Sequence, residues 1–374
     1  AAPGKTRMIR KVVALAGALF MLALAGCGDP EPLRIGIIGE LSGRSPELAE
    51  AARNGALMSI DAAQASGKLK GRRVDVLVRD TGPSPETAAS AARELVAAKV
   101  EAIIGPITSA MATPIQSVTE KSGIVLISPT VSSMQFYGQN DLLFRLNWTT
   151  RDSAVNYAQH YHAKGLRRLS VAANENNRTY AESWLKEFSA AFEALGGSIL
   201  TSPYFDSGSD NYTEIIDTML ASRPDGLLFI GNAVDVPRLA QQAFKVRPGI
   251  AMIAADWAAT SQLIELGGKA VEGLFLVQIF DQDNDSPGYL AFRDAYLKRF
   301  GKLPVLSSVL GYEAAKILLD ALVRRPESMT IKEALLSFGP YQGLQQQISF
   351  DANGDVTRTP HFMVVRNGRF VPDR

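Results

Sequence analysis

The chain has 374 residues, 46% hydrophobic and 21% charged, with a formal net charge of +1, one cysteine and three histidines. Its positive and negative charges are interspersed and form no basic stripe, so no nucleic-acid partner is expected. A lone cysteine cannot close an internal disulfide, and three histidines without a G-x-S-x-G elbow weigh against a serine hydrolase.

At the amino terminus, Lys5, Arg7, Arg10 and Lys11 precede an uncharged apolar run from Val12 to Gly26, which ends in Leu24-Ala25-Gly26-Cys27 before the chain turns polar. Basic start, apolar run and small residues are the layout of a secretory signal. The run is short of the roughly 20 residues that span a bilayer, and it is apolar on every face, unlike an amphipathic core helix. It resembles a bacterial lipoprotein signal. That resemblance implies that Cys27 becomes the first mature residue and carries acyl chains, anchoring the protein to a membrane surface outside the cytoplasm. Residues 1–26 then form an extension (1–7) with a signal peptide, and 27–32 form a tether.

Beyond the signal roughly 350 residues remain, more than one hydrophobic core usually organises. "LRIGIIGE" (33–40) reads as a buried strand and Pro46–Ala65 as a helix. The alternation continues through strand "RVDVLVRD", helix 85–99, strand "VEAIIGP", helix 109–121 and strand "GIVLISP". After "LLFRLNW" a second series runs to "GIAMIAAD" (249–256), with helices expected over 153–164, 180–195, 212–221 and 236–246. Such alternation predicts parallel sheets with helices on both faces. Two α/β halves imply a cleft, and ligands of open parallel sheets sit at the carboxyl ends of strands. No second apolar run reaches spanning length, and there is no low-complexity tract or solenoid repeat.

The loops at those strand ends are small and polar: "ELSGRS" after the first strand, "GPITSA" after the third and "SPTVSS" after the fourth. Helix starts offer unpaired N–H groups, and neighbouring Ser or Thr hydroxyls add donors for an anion such as a carboxylate. The same residues are also the preferred N-caps. Both readings stand at this point.

The ordered segments "IGIIGELSG", "RNGALMSIDAAQASG", "GRRVDVLVRDTGPSPETAASAARELV", "VEAIIGPITSA" and "GIVLISPTVSS" resemble the branched-chain-amino-acid-type substrate-binding proteins of bacterial ABC transporters. The closing "ISFDANGDVTRTPHFMVVRNGRFV" is similar to that family's carboxyl-terminal hairpin. The resemblance implies a two-lobe α/β type 1 periplasmic binding protein fold, each lobe a mostly parallel sheet flanked by helices, joined by three crossovers near Asn147, Gln278 and Gln347. One lobe comprises 33–147 plus 279–346 and the other 148–278 plus 347–374. The lobes close over a small carboxylate-bearing ligand, an amino acid foremost, which the protein, a monomer without a cofactor, delivers to an inner-membrane permease. A sensing receptor of the same fold, signalling through a partner, is the alternative.

Carried over by position, Ser109 and Ser132 donate to the ligand carboxylate, and the Thr130 carbonyl accepts from its ammonium. Tyr180 falls where the family has a Tyr-Gly pair, with Ala181 in place of the glycine. Asp256 falls where relatives carry an acid that pairs with the ammonium, a strong contact when water is excluded, and it could equally cap a helix near Ala258. Trp257 walls the pocket or joins the core, and Asn232 is a further strand-end candidate. In the first loop an aliphatic Leu48 replaces a frequent aromatic. Ser42 and Arg44 lie beside it, and a guanidinium suits carboxylate recognition.

Other chemistries fail on spacing. "DQDND" (281–285) lacks the glycine and the twelfth-position acid of a calcium loop, and "DANGD" (351–355) carries Asn353-Gly354, a hairpin-turn signal. His160 and His162, two apart on a helix, do not share a metal. No phosphate-cradling or dinucleotide glycine fingerprint follows a strand.

Overall fold

The computed structural model describes residues 31–42 and 46–373. Cys27 with its signal, and Arg44, lie outside the described residues.

The first sheet is parallel, ordered β2-β1-β3-β4-β5: β1 (Leu33–Gly39), β2 (Val74–Asp80), β3 (Ala102–Ile104), β4 (Val125–Ser128) and β5 (Leu143–Arg145). The inner strands are buried along almost their whole length, as Ile/Val/Leu runs must be when helices cover both faces. Helices α1 (Glu47–Ala65), α2 (Pro85–Ala97) and α3 (Ser109–Thr119) return the chain between these strands.

After β5 the chain passes to a second sheet, through α4 (Thr150–Ala163), β6 (Arg168–Asn174), α5 (Arg178–Ala194), β7 (Ser198–Thr201), β8 (Tyr204–Phe205), α6 (Tyr212–Ala221), β9 (Gly226–Ile230), α7 (Asp235–Val246), β10 (Ala251–Ala254), α8 (Ser261–Gly267) and β11 (Phe275–Gln278). It then returns to the first lobe with α9 (Pro287–Phe300), α10 (Leu306–Arg324), α11 (Ile331–Ser337) and a small ribbon, β12 (Tyr341–Gln342) with β13 (Gln347–Ile348). Finally β14 (His361–Arg366) and β15 (Arg369–Pro372) add antiparallel strands to the second sheet beside β11.

The third passage falls later than the expected Gln347. Gln347 still pairs with Gln342, and Phe350 packs edge-on against Phe144, with ring centroids 5.0 Å apart. The following loop is drawn to the first lobe by a buried charge. Arg145 Nε donates to Asp355 Oδ1 at 2.7 Å, and Asp355 Oδ2 accepts the Gly138 N–H at 2.8 Å. The chain therefore changes sheets between Asp355 and His361. Asn353-Gly354, read above as a hairpin turn, does lie in a turn closed by backbone bonds, the Gly354 N–H to the Asp351 carbonyl and the Asp351 N–H to the Asp355 carbonyl, but it joins no strand pair. The strand hairpin is β14–β15, turned at Asn367-Gly368 with φ of 52° and 66°, the paired positive φ values that suit a two-residue turn.

In the first lobe α1 and α10 cross with backbones in direct contact. A Cβ on Gly55 would strike the Ser308 carbonyl, and one on Gly311 the Ala52 carbonyl. This crossing sets where the start of α10 stands relative to the cleft. No helix among the described residues is long and apolar enough to cross a membrane.

Candidate functional site

The loops after β3 and β4 form one wall of the cleft. Buried loop backbone needs partners, and here small side chains provide them. Ser128 Oγ donates to the Pro106 carbonyl at 2.6 Å and accepts the Val131 N–H at 3.0 Å. The Thr130 hydroxyl donates to the Ile107 carbonyl. Ser109, at the start of α3, accepts from the N–H groups of Ser132 and Ser133, each at 3.4 Å, which leaves its own hydroxyl proton for another acceptor. The Thr130 carbonyl accepts from Asn147 Nδ2 at 3.2 Å. Capping explains little of this: the helix starts at Pro46 and Thr108 have no side-chain cap, and only Ser133 caps a turn, through the Gln135 N–H.

The second wall centres on Asp256, at the end of β10. Its Oδ1 accepts from the Tyr180 hydroxyl at 2.7 Å and its Oδ2 from Trp148 Nε1 at 2.9 Å. Burial pushes the Asp256 carboxyl above its ordinary value, and the bonds from Trp148 and Tyr180 pull it back in part. Burial, with the Asp256 charge next, also raises the Tyr180 hydroxyl well above its usual range, so Tyr180 is the donor. The short helix Asp256–Ala258 has no side-chain cap bond. Trp257 is half-buried and stands edge-on to Tyr180, with centroids 5.6 Å apart and planes at 81°.

Ser109, Thr130, Ser132, Tyr180, Asp256 and Trp257 line one narrow cavity of about 50 Å³ between the lobes. Past Leu48, Ile107 and Trp257 it meets an outer cleft of about 850 Å³. Asn232 lines the outer cleft and not the inner cavity. Its Oδ1 accepts from the Val234 and Asp235 N–H groups and its Nδ2 donates to Asp235 Oδ2, fixing the start of α7. Ser42 is exposed and hydrogen-bonds Asp80. Glu40, also on the outer cleft, has its carboxyl pushed up to about 7, by burial first and then by Asp80 and Glu47.

Four polar residues of the inner cavity were not singled out in the sequence as ligand groups: Asn147, Asn177, Thr260 and Ser307. Asn177 Oδ1 accepts the Ala110 N–H across the cleft at 3.1 Å. Ser307 lies in the first turn of α10, after its start at Leu306 and behind another helix, so it carries no strand-end signal of the kind that marked Ser109.

Across residues 32–369 the sequence matches the model of one protein family, described as periplasmic binding protein. The chain belongs to the periplasmic binding protein family. It is a binding rather than an enzymatic family, placed outside the cytoplasm. Among the relatives of this binding protein is a Leu/Ile/Val-binding protein, BraC3, of Rhizobium johnstonii, 22% identical over 303 residues that cover 81% of this chain and 82% of that one. Solved structures share its fold. A leucine binding protein, LivK, of Thermotoga maritima superimposes with a TM-score of 0.83 at 24% identity, covering 91% of this chain and 98% of that one. The substrate-binding protein LivJ of Streptococcus pneumoniae, in complex with isoleucine, gives 0.83 at 22% identity, covering 91% and 97%. At these identities the likeness establishes the type 1 periplasmic binding protein fold.

Proposed function

We propose that this chain binds an α-amino acid between its lobes and delivers it to an ABC permease in the membrane. The observation that carries the reading is the Asp256 carboxylate, buried in the inner cavity with both oxygens held by neutral donors and, among the described residues, no cation paired to it. A buried carboxylate without a counter-charge is costly, and a ligand ammonium supplies one through a charge-assisted bond. On the opposite wall, Ser109 and Ser132 offer hydroxyl donors for the ligand carboxylate, and the Thr130 carbonyl offers a second acceptor for the ammonium. Trp257 closes the side of the pocket. The relatives named for leucine, isoleucine and valine support the same ligand class.

The test is a thermal-shift screen of the twenty amino acids followed by calorimetry of the hits. A ligand at 100 times its Kd adds about 2.7 kcal/mol of stability, so a true ligand is plainly visible. Absence of any shift across the set would overturn the reading.

We also propose that Cys27 is lipidated and tethers a monomeric protein to the membrane surface. The basic, apolar and small-residue order before it supports this. Fatty-acid labelling is expected to be lost in Cys27→Ser, and labelling at the unaltered level would remove the anchor.

A further inference from the structure

The inner cavity contains hydrogen-bonding atoms that an ammonium and a carboxylate do not account for. Ser307 is 1% exposed, and its Oγ makes no hydrogen bond among the described residues. The same holds for Thr260 Oγ1 and for Asn147 Oδ1, each cut off from solvent. All three residues line the cavity that holds Ser109 and Asp256. They come from three places: Asn147 from the first crossover, Thr260 from the loop before α8 in the second lobe, and Ser307 from the first turn of α10 in the first. Around them Leu48, Val305, Leu306 and Trp257 supply an apolar wall.

Each of these oxygens has a fixed surrounding. Asn147 is oriented by its own amide, since Nδ2 donates to the Thr130 carbonyl, so Oδ1 is the atom left over. Ser307 precedes Ser308, whose hydroxyl already takes the Val305 N–H at 2.9 Å, so the helix start does not recruit Ser307 as its cap. Thr260 stands before α8, and that helix has no side-chain cap bond. A polar oxygen buried without a partner is destabilising, and two hydroxyls and an amide oxygen in one pocket call for a polar guest.

We infer that Ser307, Thr260 and Asn147 form a side-chain subsite that selects an amino acid ending in a neutral hydrogen-bonding group, a hydroxyl or a carboxamide, over its aliphatic isostere. The inference rests on the amino-acid reading above. A hydroxyl guest donates to Asn147 Oδ1 and accepts from Ser307 or Thr260. A carboxamide divides the same roles between its NH2 and its carbonyl. A purely aliphatic guest fills the same volume and leaves all three oxygens unpaired. Sites built to hydrogen-bond a group discriminate strongly against analogues lacking it.

The experiment is calorimetric titration of the full chain with two near-isosteric pairs, threonine against valine and asparagine against leucine, repeated on Ser307→Ala and Thr260→Val. In the unaltered protein the tighter-binding polar member is expected to exceed its isostere by at least about tenfold. Each variant is expected to shrink that ratio by about threefold or more, with the aliphatic member bound as well as before or better. Thermal melts identify a variant that fails to fold, and the other variant then decides. Valine or leucine binding as tightly as its polar isostere, with ratios untouched by the variants, would overturn the subsite while leaving the amino-acid reading standing. Failure of all four amino acids to bind, in a protein whose melt shows it folded, together with no shift for any other amino acid, would overturn the amino-acid reading itself and this inference with it.

Discussion

The Tyr180 hydroxyl donates to Asp256 Oδ1 at 2.7 Å, tying the first turn of α5 to the end of β10. With Trp148 Nε1 on the other oxygen, the carboxylate is fixed in place but not neutralised. Both donors are buried, Trp148 at 1% and Tyr180 at 6% exposure, so Asp256 serves the fold of the apo protein as well as any ligand.

That dual service decides how Asp256 should be altered. Asp256→Ala strands two buried donors, each costing about 1–3 kcal/mol, so a lowered apo Tm is expected and does not signal a helix cap. Asp256→Asn keeps the shape and one acceptor while removing the charge. Its amino-acid affinity is expected to fall by more than about tenfold, within the roughly 2–5 kcal/mol of a broken buried charge pair, while its apo Tm falls less than that of Asp256→Ala. Calorimetry and melts on both variants check this. Unchanged affinity in Asp256→Asn would remove Asp256 from the site.

Closure is expected to depend on bonds that cross the cleft. The Ala110 N–H donates to Asn177 Oδ1 at 3.1 Å, and the Met134 N–H to Ser183 Oγ at 2.9 Å. Asn177→Ala removes the first, worth about 0.5–1.5 kcal/mol, and is expected to enlarge the apo radius of gyration while saturating ligand restores it through hinge closure. Small-angle scattering with and without ligand reads both. Identical curves for variant and unaltered protein in every state would rule out this bond as a clasp.

Glu40 gives the apo protein a pH signature. Its carboxyl is raised from 4.5 to about 7, by burial first, then by Asp80 and Glu47. Because the folded state holds the proton more tightly, the stability it contributes is full below about pH 4.5 and is lost as pH rises through about 7. The Tm of Glu40→Gln relative to the unaltered protein should therefore climb between pH 4.5 and 7.5. Melts at half-unit steps test it, and a flat difference would contradict the placement of Glu40.

The helix crossing that sets Ser307 should be intolerant of a single methyl. Gly311→Ala forces a side chain into the Ala52 carbonyl. Overpacking of this kind costs about 1–3 kcal/mol, seen in urea unfolding, and the accompanying shift of α10 should also weaken ligand binding. Full stability in Gly311→Ala would show that the two helices are free to move apart.

The buried pair between Arg145 and Asp355 anchors the loop before the third passage. Arg145 Nη1 also donates to the Ser133 carbonyl at 2.9 Å, in the carboxylate-facing wall. Asp355→Ala leaves a charged guanidinium alone at 1% exposure, and a loss of about 3–5 kcal/mol in urea unfolding is expected. A loss under 1 kcal/mol would mean that solvent reaches the arginine.

The sequence by itself determined the alternating strands and helices as far as Asp256, since alternation of apolar runs with amphipathic segments is a local property of the chain, whereas β11 and the helices α8 to α11 came only with the structure. Strand ends carrying Ser109, Thr130 and Ser132 could be read the same way, because a parallel sheet puts all its carboxyl ends on one side, whereas Asp256 was marked by the family resemblance. Three things needed tertiary structure. The partners of Asp256 are 108 and 76 residues away, at Trp148 and Tyr180, a separation no local pattern encodes. Asn353-Gly354 forms its turn, but no strands flank it, and the pair between Asp355 and buried Arg145 holds that loop on the first lobe. Ser307, Thr260 and Asn147 each read as ordinary loop or cap residues. Only packing three distant segments around one cavity left their oxygens without partners and so gave them a role.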